Sequence, residues 1–210
     1  MKENYSVYQD SGIVSHEELS EHFSEYKRPN DKISYMIENG NLIPLKRGLY
    51  VLNNPFVKEE VSNMAIANAI YAPSYVSFNS ALSHYGITNK DPDSIQSATI
   101  KRKNIFKNSY GVFNYIKVRK DTFYIGIRAS IGDGDHREFI ASPTKAICDI
   151  IWDTPDIPVY GSNSMKEFLL DEIGIKNNKL STLDPEIIKK CMQKGNKKEE
   201  LRFLLELSQK

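Results

Sequence analysis

"LIPLKRGLYVLNN", residues 42–54, decides how this chain is read. Leu42 and Leu45 on one side and Leu49, Val51 and Leu52 on the other flank Lys46-Arg47-Gly48, and glycine reaches positive φ at no steric cost. The stretch therefore predicts a β-hairpin whose turn carries two basic side chains. Just ahead of it, KRPNDKISYMIENG (residues 27–40) sets Ile33, Met36 and Ile37 on one helical stripe, with Asn30 as cap and Gly40 as left-handed terminator. Further back, IVSHEELSEHF (residues 13–23) has Ser15 and Glu18 at capping-box spacing and Leu19 and Phe23 four apart on one side. The polar segment 3–10 offers one more short helix. Helix, helix, helix, hairpin over residues 1–56 is the order of a winged helix-turn-helix DNA-binding domain.

Beyond the hairpin, residues 57–210 read as a second domain: helices over 57–86, strands over 94–141 and helices over 143–208. VKEEVSNMAIANAIYA (57–72) has the pattern of an amphipathic helix stopped by Pro73, and Ser77 caps a short helix over about 78–85. SIQSATI, GVFNYIKV, TFYIGIRAS and HREFIA follow as strands. Alternation puts Phe113, Tyr115 and Lys117 on one face and Asn114, Ile116 and Val118 on the other. SPTKAICDIIWDTP starts a helix with Ser142 as cap and Pro143 in the first turn. The expected class is α+β: a winged helix-turn-helix followed by a mixed α/β domain with a central antiparallel-type sheet and C-terminal helices.

Composition narrows function. The 210 residues carry 28 Lys+Arg against 27 Asp+Glu, so no strongly basic nucleic-acid coat is present, and 40% hydrophobic content supplies a core. The charge is uneven: residues 1–60 hold 7 basic against 10 acidic side chains, a net of −3, whereas 90–137 hold 10 against 5, a net of +5. Cys148 and Cys191 alone make neither a disulfide framework nor a cysteine zinc site, which fits a reducing compartment. With no signal-peptide-like start and no window of about 20 apolar residues, cytoplasmic residence without membrane contact is the expectation.

NGNLIPLKRGLYVL (39–52), APSYVSFNSALSHYGI (72–87) and IASPTKAICDII (140–151) together resemble the AbiEi antitoxin family of bacterial abortive-infection systems. The resemblance covers roughly residues 4–155 and weakens in the tail. It implies an amino-terminal winged domain that binds inverted repeats of double-stranded operator DNA in its own operon promoter. It further implies a second domain that counteracts a nucleotidyltransferase-like toxin, by contact or by opposing its effect. Such antitoxins are transcriptional autorepressors, with no enzymatic activity, catalytic residue, metal or cofactor of their own. The helix start Ser142-Pro143-Thr144-Lys145 departs from the family's threonine-rich or glutamate-containing version.

On this basis the DNA-binding candidates are Lys27, Arg28, Asn30, Lys32, Ser34 and Tyr35 on and before the recognition helix, with Lys46 and Arg47 at the wing tip. A second basic patch comprises Lys101, Arg102, Lys103, Lys107, Lys117, Arg119, Lys120 and Arg128. It serves DNA or an acidic partner surface, unless its lysines merely guard a sheet edge. Without a coiled-coil heptad, a solution monomer that pairs on DNA is expected. Two alternatives stay open: a stand-alone DNA-binding regulator without a toxin partner, and a metal-dependent nuclease gathering Asp121, Asp133, Asp135, Glu138 and Lys145. A nucleotidyltransferase fits poorly, because Asp171 and Glu172 after Gly161-Ser162 are adjacent on a helical pattern and point about 100° apart.

Overall fold

A computed structural model describes residues 12–53, 61–131 and 137–209. The helix expected over 3–10, the domain boundary at 56/57, and Asp133 and Asp135 lie outside them. The first unit runs β1 (Ile13–Ser15), α1 (His16–His22), α2 (Pro29–Glu38), β2 (Leu42–Lys46) and β3 (Leu49–Leu52), with sheet order β1-β3-β2, all antiparallel. The capping box forms as its spacing predicts: Glu18 N–H donates to Ser15 Oγ at 3.2 Å, and Ser15 N–H to Glu18 Oε2 at 2.7 Å. For α2 the cap is Arg28 rather than Asn30, because Pro29 sits at the first helical position, where its missing N–H costs nothing. Gly40 does leave the helix at φ +71°.

The hairpin is apolar at nearly every position because both of its faces are covered. Leu42, Tyr50 and Leu52 join Val14, Leu19, Phe23, Ile33 and Met36 in a small core. Leu45 and Val51, on the opposite face, join the main core of the chain. A register irregularity between Pro44 and Lys46 precedes the turn, where Gly48 holds φ +77°.

The larger unit is built on α3 (Asn63–Ile70), β4 (Ser74–Val76), α4 (Phe78–His84), β5 (Ile95–Thr99), β6 (Asn104–Asn108), β7 (Gly111–Lys117), β8 (Ile127–Ile131) and β9 (Arg137–Ala141). It continues through α5 (Pro143–Asp153), α6 (Ser162–Glu167), α7 (Pro185–Lys194) and α8 (Lys198–Ser208). Its six strands are ordered β6-β7-β5-β4-β9-β8. The sheet is mixed rather than antiparallel: β5 pairs with β7, and β4 with β9, in parallel. After β5 the chain crosses to the outer edge as β6, then turns back at Ser109-Tyr110, so β7 slots between them in the direction of β5.

The helix expected from residue 57 begins, among the described residues, only at Asn63, where Ser62 Oγ accepts from Ala65 N–H at 3.0 Å. Four of its residues are fully or almost fully buried, so α3 is a core helix rather than a surface one. Ser142 caps α5 with Pro143 in its first turn, and Asp184 caps α7. Among the described residues no helix is long and apolar enough to cross a membrane.

Candidate nucleic-acid interface

The outward side of α2 follows from its inward one. With Ile33 and Met36 buried, the opposite side shows Asp31, Ser34, Tyr35 and Glu38, and Tyr35 is 57% exposed. Asn30, at the edge of that side, accepts through Oδ1 in a 3.2 Å contact with His16 Nε2, and His16 Nδ1 lies 3.4 Å from the Tyr50 hydroxyl. This polar chain ties the starts of α1 and α2 to the hairpin. Lys32 does not project freely: its ammonium lies 5.6–6.0 Å from the rings of Phe23, Tyr26 and Tyr35. Lys27 and Arg28 are exposed, and Arg28 pairs with Asp31 at 3.5 Å. Two carboxylates, Asp31 and Glu38, thus share the side with the candidate base-reading groups, which residue counting over the whole segment had concealed.

At the turn the two basic residues part company. Arg47 is exposed. Lys46 is turned back, and its Nζ donates to the Ile70 carbonyl at 2.6 Å. That carbonyl closes α3, where the helix dipole favours a cation. Desolvation, and then the nearby charge of Lys101, lower the Lys46 pKa below its ordinary value. The wing-tip placement expected of Lys46 is therefore corrected: residue 46 sits at the last ladder pair of β2, on the side that faces α3.

The same contact brings the two basic segments of the sequence together. Asn108 Nδ2 donates to the Leu45 carbonyl at 3.1 Å, which sets the edge strand β6 against the edge strand β2. Lys101, on the link into β6, stacks its ammonium 5.1 Å from the Tyr71 ring while acting electrostatically on Lys46. Lys101, Arg102, Lys103 and Lys107 are all exposed. Of the expected eight-residue patch, Arg128 stands apart from the rest. Lys117, level with Thr99 across the β5–β7 ladder, and Arg119 line a cleft at these strand ends, near Lys101; Arg119 also pairs with Asp121 at 3.8 Å, and Lys120 is exposed on the following turn. Arg128 is on β8, four strand spacings from β7, or about 19 Å; its guanidinium lies 5.9 Å from the Tyr85 ring.

That cleft, about 190 Å³, is floored by a charge network that the sequence did not advertise. Lys145 and Asp149, one turn apart on α5, form an ion pair with both side chains fully buried. Asp149 Oδ2 also accepts from the Tyr75 hydroxyl at 3.0 Å and from Ser77 Oγ at 2.7 Å. The Lys145 ammonium lies 5.3 Å from the Tyr75 ring and 4.9 Å from the Trp152 ring. Burial, then the adjacent Asp149, push the Tyr75 hydroxyl well above its ordinary pKa. Asp153 at the cleft wall is likewise raised by desolvation and then by Asp149. Only the i,i+4 spacing of Lys145 and Asp149 signalled this, and that spacing is common on exposed helices.

The carboxylates grouped for a nuclease do not converge among the described residues. Asp121 is exposed, Glu138 is buried against the Ser62 hydroxyl, and Lys145 is committed to Asp149. No group of three or more His, Cys, Asp or Glu suited to a metal occurs among the described residues. Cys148 is fully buried, and its thiol pKa is raised by its hydrogen bond with Cys191 and then by burial.

No protein-family model matches the chain, and no curated protein matches it in sequence. Among solved structures it is similar to the RV2827C protein from Mycobacterium tuberculosis, at 14% identity and a TM-score of 0.52, over 96% of this chain and 79% of that one. At that identity the likeness concerns the fold alone.

Proposed function

We propose that this chain is a sequence-specific binder of double-stranded DNA whose first unit acts as a winged helix-turn-helix. The observation that carries the proposal is the hairpin with exposed Arg47 at its turn and the Lys101–Lys107 segment beside its edge strand β2, in the same small unit that exposes one side of α2. In this geometry α2 enters the major groove, with Asn30, Ser34 and Tyr35 toward base edges. Lys27, Arg28 and Arg47 meet phosphates, and the second unit adds its lysines to the flank. Lys46 contributes indirectly, by fixing the hairpin to α3. The chain is not an enzyme in this reading and needs no cofactor.

We further propose, on the likeness of its motifs to AbiEi antitoxins, that the DNA is an inverted repeat in the protein's own promoter and that the second unit counteracts a nucleotidyltransferase-like toxin in the cytoplasm. A gel-shift titration with the upstream region tests the first part. Arg47→Ala should weaken operator and scrambled duplexes alike, whereas Asn30→Ala and Tyr35→Ala should change the ratio between them. Equal weak binding by wild type and all variants would refute operator recognition. Rescue of cells expressing the neighbouring toxin tests the second part: full-length Arg47→Ala should still rescue, and loss of rescue with normal protein levels would refute a division of labour. A stand-alone regulator would bind the operator and rescue nothing.

A further inference from the structure

Asn30 stands where a side chain of its type ordinarily has two uses. Pro29 takes the first helical position of α2, so Asn30 falls in the opening turn, the part of a recognition helix that reaches base edges. A free asparagine there meets adenine with both halves of its amide: Oδ1 accepts from N6 and Nδ2 donates to N7. In this chain one half is already engaged. Asn30 Oδ1 lies 3.2 Å from His16 Nε2, and a carboxamide oxygen can only accept, so Nε2 carries the imidazole proton. Nδ1 is then an acceptor, and the Tyr50 hydroxyl, 3.4 Å away, donates to it. Among the described residues Asn30 Nδ2 has no partner.

The engaged half is held from below. Tyr50 belongs to the small core and is only 8% exposed. His16 opens α1 directly after the Ser15 cap, and its backbone N–H donates to the Gly48 carbonyl at 2.9 Å. The imidazole is thus anchored to α1, to β3 and to the hairpin turn, while Asn30 stays exposed at the edge of the outward side of α2. Swinging Oδ1 toward a base would strip the Nε2 proton of its acceptor and cost an ordinary hydrogen bond.

Resting on the reading of α2 as the recognition helix, we infer that His16 makes Asn30 a donor-only reader, so that its position selects guanine over adenine. Guanine offers two adjacent acceptors, O6 and N7, to the N–H groups that remain. Adenine sets an N6 amino group beside its N7, and that donor faces the amide with no acceptor to meet it. His16 touches no base in this arrangement. It is a positioning residue, and what it positions is the choice of base.

In vitro selection from a random duplex pool with the full chain, followed by competition gel shifts on the enriched site, tests this. The base pair read by Asn30 is the one whose discrimination disappears in Asn30→Ala. At that pair the unaltered protein should prefer guanine to adenine by about fivefold or more, the scale of one good major-groove contact. His16→Phe keeps a ring beside Tyr50 but cannot donate; it frees Oδ1 and should reverse the preference to adenine. His16→Gln can donate again and should restore guanine. A purely structural role for His16 would weaken all duplexes alike and leave the ratio unmoved. Enrichment of no sequence at all overturns the recognition-helix reading and the inference with it. With an enriched site in hand, three results overturn the inference alone: adenine preferred by the unaltered protein, no base pair responding to Asn30→Ala, or a guanine preference that survives in a folded His16→Phe. If His16→Phe fails to fold, the ratio measured for the unaltered protein at that pair still decides.

Discussion

Removing one charge from the buried pair on α5 should be far more damaging than removing both. Lys145→Met leaves the Asp149 carboxylate fully enclosed with two hydroxyl donors and no countercharge, a situation that costs about 3–5 kcal/mol. Asp149→Asn keeps an acceptor for Tyr75 and Ser77 but strands the ammonium between the Tyr75 and Trp152 rings, at a similar cost of about 3–5 kcal/mol. The double variant Lys145→Met/Asp149→Asn carries no buried charge, fills the volume with an unbranched apolar chain, and retains the amide oxygen for both hydroxyls. Its cost should be about 1–2 kcal/mol, because replacing a buried pair with neutral groups is often close to neutral. Additive singles would total about 6–10 kcal/mol, so a coupling of at least about 3 kcal/mol is expected. Urea unfolding of the four proteins at pH 7, followed by tyrosine and tryptophan fluorescence, measures it. A double variant whose loss equals the sum of the singles within about 0.5 kcal/mol would refute the pairing.

Other outcomes follow from the same geometry. Glu38→Gln removes a carboxylate from the exposed side of α2 and should tighten duplex binding several-fold at low ionic strength, the gain shrinking above about 0.1 M salt, where the screening length is near 10 Å; a gel-shift series that shows no gain at any salt would exclude α2 from the groove. Arg47→Ala should lower the slope of log affinity against log salt by about 0.9, from about 3–4 for a monomer making about four phosphate contacts, whereas Lys46→Ala should chiefly lower thermal stability. Asp153 has a folded-state pKa raised above its unfolded value, so the folded state binds the extra proton and stability falls as pH rises through that window; Asp153→Asn should therefore stabilise at pH 7 and lose its advantage below pH about 4, read as a difference in melting temperature across pH. Sedimentation should show a monomer alone and two copies on a duplex with half-sites about 34–36 Å apart; a tight dimer without DNA would reject pairing on the operator.

Local rules made much of the first unit legible. Ser15 and Glu18 met at the spacing that predicts a capping box, Ile33 and Met36 turned inward, and Gly48 took the left-handed turn. The helix at Pro143 was equally plain from Ser142 and its apolar side. What escaped was tertiary. β4 is only Ser74–Val76, buried at all three positions, so it offers no alternation to detect. β6 lies within the basic run 101–107, whose lysines fit a binding patch as well as a guarded sheet edge, and its pairing with β7 is what shows it to be the edge strand. Lys46 looked like a wing-tip cation because sequence cannot show the Ile70 carbonyl waiting across a distance of 24 residues. Lys145 and Asp149 resembled any surface pair, since the burial that distinguishes them comes from Tyr75, Ser77 and Trp152 on other parts of the chain or further along α5.

The doubly covered hairpin has a consequence for modularity. Small amino-terminal units of this size are commonly treated as cartridges that can be cut from one protein and fused to another. Here a cut after Asn53 would leave Leu45 and Val51 facing water, release the Lys46 amine from its seat on α3, and bare the edge of β2 that Asn108 now closes. An uncovered edge strand with apolar neighbours invites pairing with its own copies. The first unit is therefore a shared part, folded against the larger one, and a transfer into another protein should move both or neither.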